Sequence, residues 1–227
     1  MPPAKAAPAP TFFGTRLFDN YDLEELTRYI DWTPFFQTWE LAGPYPAILT
    51  DDKVGKAATD LFNDAQKMLK KIVDEKWLTA RAVIGFWPAA SNNADTITLQ
   101  TPKGEVKLES LRQQLKKAVG QPSYSLGDFV RPSDLGGNDH MGAFAVTIHG
   151  AKKYIDQFQA QHDDYNKILV QVLADRMVEA FAECLHAETR REHWGYDADE
   201  TLSNEELIKE QYNGIRPAPG YPACPDH

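Results

Sequence analysis

Between Asp163 and Arg191, apolar residues recur at the three- and four-residue spacing of a single long helix: Tyr165, Ile168, Leu169, Val172, Leu173, Met177, Ala180, Phe181 and Leu185. A helix of that length runs for about 40 Å and needs an extended apolar surface to lie against. The same spacing predicts a helix within Asp51–Lys76, on Val54, Ala58, Leu61, Phe62, Ala65, Met68, Leu69 and Ile72. Shorter helices are predicted at Asp22–Ile30, after Thr33-Pro34, and at Asn204–Gln211, where Ser203 and Glu206 have capping-box spacing. Three runs read as strands: RAVIGFWPA at Arg81–Ala89, TITL at Thr96–Leu99, and MGAFAVTIHG at Met141–Gly150. SNNAD forms the connection between the first two, and LGGND turns into the third. Helices and strands mix without strict βαβ alternation or internal repeat, so the expected class is α+β.

The 227 residues, 42% hydrophobic and 25% charged, suffice for one large domain or two small ones. With 24 Lys and Arg against 33 Asp and Glu, the net charge of -9 disfavours nucleic acid or an anionic membrane as partner. No apolar run is long enough to span a bilayer, and no charged-then-apolar signal opens the chain. Two cysteines, Cys184 and Cys224, cannot build a disulfide scaffold, so a cytoplasmic location is expected. The opening MPPAKAAPAP, residues 1–10, reads as a semi-rigid linker, with order beginning near Thr11. It is equally the composition of a simple disordered terminus.

The segment RPAPGYPACPDH, Arg216–His227, has too many prolines for a helix or a central strand. Its stiff backbone loses little entropy on meeting a ligand; Gly220 permits close approach and Tyr221 can stack. A plain proline-rich tail is the competing reading. Cys224 and His227 are too few for a metal site, and the other histidines lack paired ligand spacing. On the long helix, Asp175, Glu179 and Glu183 lie four apart on one face, where like charges repel unless a cation is near. They are either a solvated face or one side of a cation-binding cleft. Asp31, within the aromatic run before Trp32, Phe35 and Phe36, admits the same two readings. There is no P-loop, dinucleotide GxGxxG, HExxH or GxSxG. An arginine and carboxylates beside aromatic and Gly-Pro-rich segments suit a zwitterionic or cationic small molecule without naming it.

RPAPGYPACPDH resembles the signature of the activation domain of cobalamin-dependent methionine synthase. The resemblance extends in order through YIDWTPFFQTWEL (Tyr29–Leu41), RAVIGFWPA, LRQQ (Leu111–Gln114), GAFAVT (Gly142–Thr147), QHDDYNKI (Gln161–Ile168) and LSNEELI (Leu202–Ile208). It implies a C-shaped α+β fold with a twisted antiparallel sheet and a long helix. It also implies binding of S-adenosylmethionine (AdoMet) and support for reductive methylation of cob(II)alamin to methylcobalamin. The implied partners are the cobalamin domain of the same enzyme and a flavodoxin or flavoprotein reductase. Zinc belongs to the homocysteine domain of such an enzyme, not to this chain.

On this resemblance Asp31 meets the methionyl amino group, and Arg216 holds the carboxylate. Ala218, Gly220 and Tyr221 line the ligand, and Glu179 favours its cationic part. No residue here is expected to transfer a proton in catalysis, and no metal is assigned to Cys224 or His227. Family members continue past the signature into a further segment that borders AdoMet, so residues 11–227 are expected to form an activation domain lacking its C-terminal piece. The alternative is a module that docks a cobalamin domain or flavodoxin without binding AdoMet. A free-standing methyltransferase is a third reading, disfavoured because no glycine loop of the common methyltransferase type follows a first strand.

Overall fold

The structure is a computed structural model, and it describes residues 8–92, 95–135, 139–220 and 224. Five strands form one antiparallel sheet: β1 (Gly14–Tyr21), β2 (Thr79–Ser91), β3 (Thr96–Thr101), β4 (Gly104–Glu109) and β5 (Asp139–His149). Its axis is β2, whose 13 residues are long enough to take two partners along one edge. There β1 pairs from Tyr21↔Ala80 to Gly14↔Phe86, and β3 takes over at Ala89↔Leu99. Along the other edge β5 pairs without a break from Thr79↔His149 to Ala89↔Asp139. Side chains alternate across a strand, so Ala80, Ala82, Ile84 and Phe86 all face one way and are buried. They form the sheet's contribution to the main core.

Six helices complete the described fold: α1 (Leu23–Thr27), α2 (Thr33–Thr38), α3 (Gly55–Asp74), α4 (Ala151–Ala160), α5 (Asp164–Glu188) and α6 (Asn204–Ile208). The long helix α5 is central. It packs against β5, α1, α2, α3 and α4. Its buried run Val172, Leu173 and Ala174 covers successive directions, as in a helix surrounded by protein rather than one resting on a surface. The helical periodicity predicted one element to Arg191, but α5 ends at Glu188 and a π turn follows at Thr189–His193. There the Trp194 amide donates to the Thr189 carbonyl at 2.8 Å. One widened turn barely shifts an apolar stripe, which is why the pattern does not show it.

Two strands fall where the sequence reading assigns no element. β1 is an edge strand with mostly exposed side chains, and β4 is polar and exposed, so neither shows the alternation of a half-buried strand. Helix α4 also escapes the pattern, being short and only half-buried at Tyr154, Ile155 and Phe158. It starts after Gly150, whose φ is +105°. A Cβ there would lie 2.4 Å from the Trp77 carbonyl oxygen, so glycine is required for the tight β5–α4 junction.

Beyond Ala89 the sheet leaves the main core and covers a small one, made by Ala89, Ile97, Leu99 and Val130. The long connection after β4 is held there by polar bonds. Arg112 donates to Asp95 at 2.6 Å, to both oxygens of Asp128 at 2.7 Å, and to the Ser123 carbonyl at 2.6 Å. At the start of the described chain, Pro10 is buried, Trp194 Nε1 donates to the Pro8 carbonyl at 2.7 Å, and the Thr11 amide donates to His193. Residues 8–10, the end of the proline-rich opening, therefore lie on the domain. Among the described residues, no helix is long and apolar enough to cross a membrane.

Candidate functional site

The C-terminal half of α5 carries Glu179 and Glu183 and meets the segment that carries Arg216. The acidic ladder on α5 is not uniform: Asp175 and Glu179 are exposed, whereas Glu183 is half-buried. The cation that the ladder calls for is Arg216, whose Nη2 donates to Glu183 Oε1. Burial lifts the Glu183 carboxyl above its ordinary range, against the pull of Arg216 and Arg190; nearby Glu210 and Glu179 add to the rise. Glu179 thus faces the same cluster, although its side chain makes no ion pair.

Arg216 sits in a segment without regular structure, residues 211–220, so side chains must fix it in place. The Tyr212 ring stands edge-on to His186, with centroids 4.8 Å apart, and the Arg190 guanidinium lies 4.2 Å from its centre. Asn213 accepts from the Tyr196 hydroxyl at 3.1 Å and donates to Asp197 at 2.6 Å. These anchors leave Ala218 and Gly220 exposed. The Gly220 amide donates to the Cys224 carbonyl at 2.8 Å, and the Gly220 φ is +88°. Tyr221 and His227 lie outside the described residues.

Beneath this segment Arg190 is fully buried. Its guanidinium makes a two-pronged pair with Glu200, at 2.5 and 2.7 Å, and meets His186 Nδ1 at 2.7 Å. The arginine must donate, so His186 Nδ1 accepts and the ring is neutral. Burial, followed by the positive charges of Arg190 and Arg216, pushes the His186 pKa down to about 3. The neighbouring Cys184 is also buried, and burial pushes its thiol up to about 12. Burial would raise Glu188, but the His193 ring 3.6 Å away and the hydrogen bond from the Tyr21 hydroxyl outweigh it and hold the carboxylate below its ordinary range.

Asp31 precedes α2, and its Oδ1 accepts from the Thr33 amide at 2.9 Å. That bond caps the start of a helix whose Pro34 suits the first turn. Two further bonds tie this corner to the same region. Asn204 Nδ2 of α6 donates to the Ile30 carbonyl at 3.1 Å, and Arg191 of the π turn reaches the Tyr29 hydroxyl at 3.4 Å. Asp31 and Arg216 are thus held by neighbouring parts of one frame, without a hydrogen bond or ion pair between them.

Five buried polar atoms in this region lack a hydrogen-bond partner among the described residues: Arg216 Nε, Glu183 Oε2, Asn204 Oδ1 and, on the π turn, Arg191 Nε and His193 Nε2. Buried polar groups are ordinarily paired, so this set stands out. Within it Arg216 Nε is a donor and Glu183 Oε2 and Asn204 Oδ1 are acceptors, which can serve a ligand that carries both a carboxylate and a cationic group. A surface depression of about 500 Å³ at Phe18–Asp22 and Glu25 contains none of the predicted residues. Among the described residues, no group of three or more His, Cys, Asp or Glu is placed to hold a metal ion.

Sequence reasoning missed Glu183 as the specific partner of Arg216, and missed Tyr212, Asn204, Arg190 and Glu200 altogether. The ladder spacing was a signal for Glu183. For Tyr212 and Asn204 no local signal exists, because each acts on a residue distant in sequence or through one turn of an irregular chain.

Two comparisons bear on this geometry. A solved structure described as the MetH reactivation domain bound to AdoHcy is 49% identical, with a TM-score of 0.89, over 98% of this chain and 69% of that one. The fold described above is therefore that of a methionine synthase reactivation domain. The family profile described as vitamin B12 dependent methionine synthase, activation domain, matches residues 22–227. This chain belongs to the activation-domain family of vitamin B12-dependent methionine synthase.

Proposed function

We propose that this chain binds AdoMet and serves as the reactivation module of a cobalamin-dependent methionine synthase. The observation that carries the reading is the uneven use of polar atoms around Arg216: one guanidinium nitrogen is paired to Glu183 while Nε stays buried without a partner. A planar guanidinium with donors to spare is suited to a carboxylate. The bound AdoHcy of the 49% identical relative supplies the matching chemistry, an adenosyl group carrying an amino acid end.

In this reading Arg216 takes the ligand carboxylate, and Asp31 receives its ammonium on the oxygen that does not cap α2. Glu179, at the exposed rim, favours the sulfonium by its charge. Ala218, Gly220 and Tyr221 border the ligand along the stiff terminal segment. When bound, AdoMet would supply an activated methyl group on its sulfonium, for which the cobalamin of the partner domain would be the acceptor. The chain's own residues need no proton transfer for this. They bind, orient and present the ligand. The cobalamin domain and a flavodoxin or flavoprotein reductase as electron donor complete the proposed assembly, in the cytoplasm.

The test is reconstitution. This chain, AdoMet and a separately prepared cobalamin domain in the cob(II)alamin form are combined under a chemical reductant, and the methylcobalamin absorbance is followed. Its appearance only when both chain and AdoMet are present supports the reading. A stable complex that forms without AdoMet binding or methylation would favour a docking role instead.

A further inference from the structure

We infer that Glu183 is a positioning residue for ligand recognition: it holds the Arg216 guanidinium by one nitrogen so that the remaining donors meet the ligand carboxylate. The inference rests on, and deepens, the AdoMet-binding reading. Arg216 is carried by residues 211–220, which have no helix or strand to orient a long side chain. An arginine with a free stem has many rotamers, and fixing them on binding weakens affinity. Glu183 removes that freedom in advance. It does so from α5, the most heavily packed helix in the molecule, so its carboxylate is itself well placed.

The contact is one-to-one. Nη2 of Arg216 meets Oε1 of Glu183, while Nε and Oε2 remain buried and without partners. The nearby Arg190–Glu200 pair takes the two-pronged form instead. Tyr212, in the same segment as Arg216, anchors it through contacts with His186 and Arg190. Arg216 is therefore gripped at its tip and supported along its segment, with donor capacity left over.

The experiment compares AdoMet with decarboxylated AdoMet by calorimetry, on the full 227-residue chain and on its Glu183→Ala and Glu183→Gln variants. The parent is expected to prefer AdoMet, and Glu183→Ala is expected to lose about tenfold of that preference, because a wandering guanidinium no longer selects for the carboxylate. Glu183→Gln keeps an oxygen to receive Nη2 and is expected to stay within about threefold of the parent. A merely structural role would weaken both ligands equally and leave the preference intact, which would overturn the inference. Tighter AdoMet binding by Glu183→Ala would overturn it too, by making Glu183 a competitor. If the parent binds AdoMet and only the preference test fails, the AdoMet reading survives; no binding by the parent would overturn both.

Discussion

Arg190 and Arg216 both neighbour Tyr212, and they spend their donors in contrasting ways. Arg190 is fully buried, makes a two-pronged pair with Glu200, meets His186 and stacks on Tyr212. Arg216 is partly exposed, makes one contact with Glu183 and leaves Nε unpaired. Full satisfaction is what a buried charge needs to hold a fold together. Partial satisfaction in a segment without regular structure leaves an arginine with donors for a ligand. In the proposed reading, two residues of the same type beside one tyrosine ring divide the work between stability and recognition.

The division is easiest to break with Arg190→Ala. Removing the guanidinium strands Glu200 in the interior, and the expected loss is about 3–5 kcal/mol in urea unfolding, or failure to fold. Arg216→Ala is the counterpart. It should cost no more than about 2 kcal/mol of stability, since Glu183 keeps some solvent and can take up a proton, yet weaken AdoMet binding at least about tenfold. Equal losses of stability in the two variants would erase the distinction.

The pH dependence sharpens it. The folded pKa of His186 is about 3, whereas the ordinary value is near 6.5. The unfolded chain therefore binds the proton first, and stability falls as pH drops from about 6.5 toward 3, by roughly 1.4 kcal/mol per pH unit for this group. Glu188, held below its ordinary range, acts in the same direction on acidification, and Glu183, lifted by burial, acts oppositely. Comparing the parent with His186→Gln at pH 7 and pH 5 isolates the histidine: the parent should lose more. A smaller effect is expected at α6. Ser203 accepts from the Glu206 amide and Glu206 returns the bond, so Ser203→Ala should cost about 1 kcal/mol in thermal or urea unfolding.

The same contrast explains what could be read from the sequence. Helices α3 and α5, β2 and β5 announce themselves by period, because each is buried along a face or on most sides. The capping box of α6 is a local rule and needs no tertiary knowledge. β1 and β4 are exposed edge elements with no alternation to detect, and the π turn changes the register by too little. In the site, the acidic ladder on α5 pointed to a cation, but only the fold shows that Arg216, 33 residues beyond Glu183, supplies it. The Arg190–Glu200 pair joins charged residues in a polar-looking stretch, where composition suggests surface rather than core. Asp31 and Arg216 took their roles from a family resemblance; the structure pairs Arg216 with Glu183 of α5 and Asp31 with the Thr33 amide.

The most direct measurement is a calorimetric titration of AdoMet into the 227-residue chain and its Arg216→Ala variant, with cooperative unfolding of both checked in parallel. The account predicts saturable binding by the parent and at least about a tenfold loss in a variant that still unfolds cooperatively. A folded Arg216→Ala variant that binds AdoMet as tightly as the parent would contradict it.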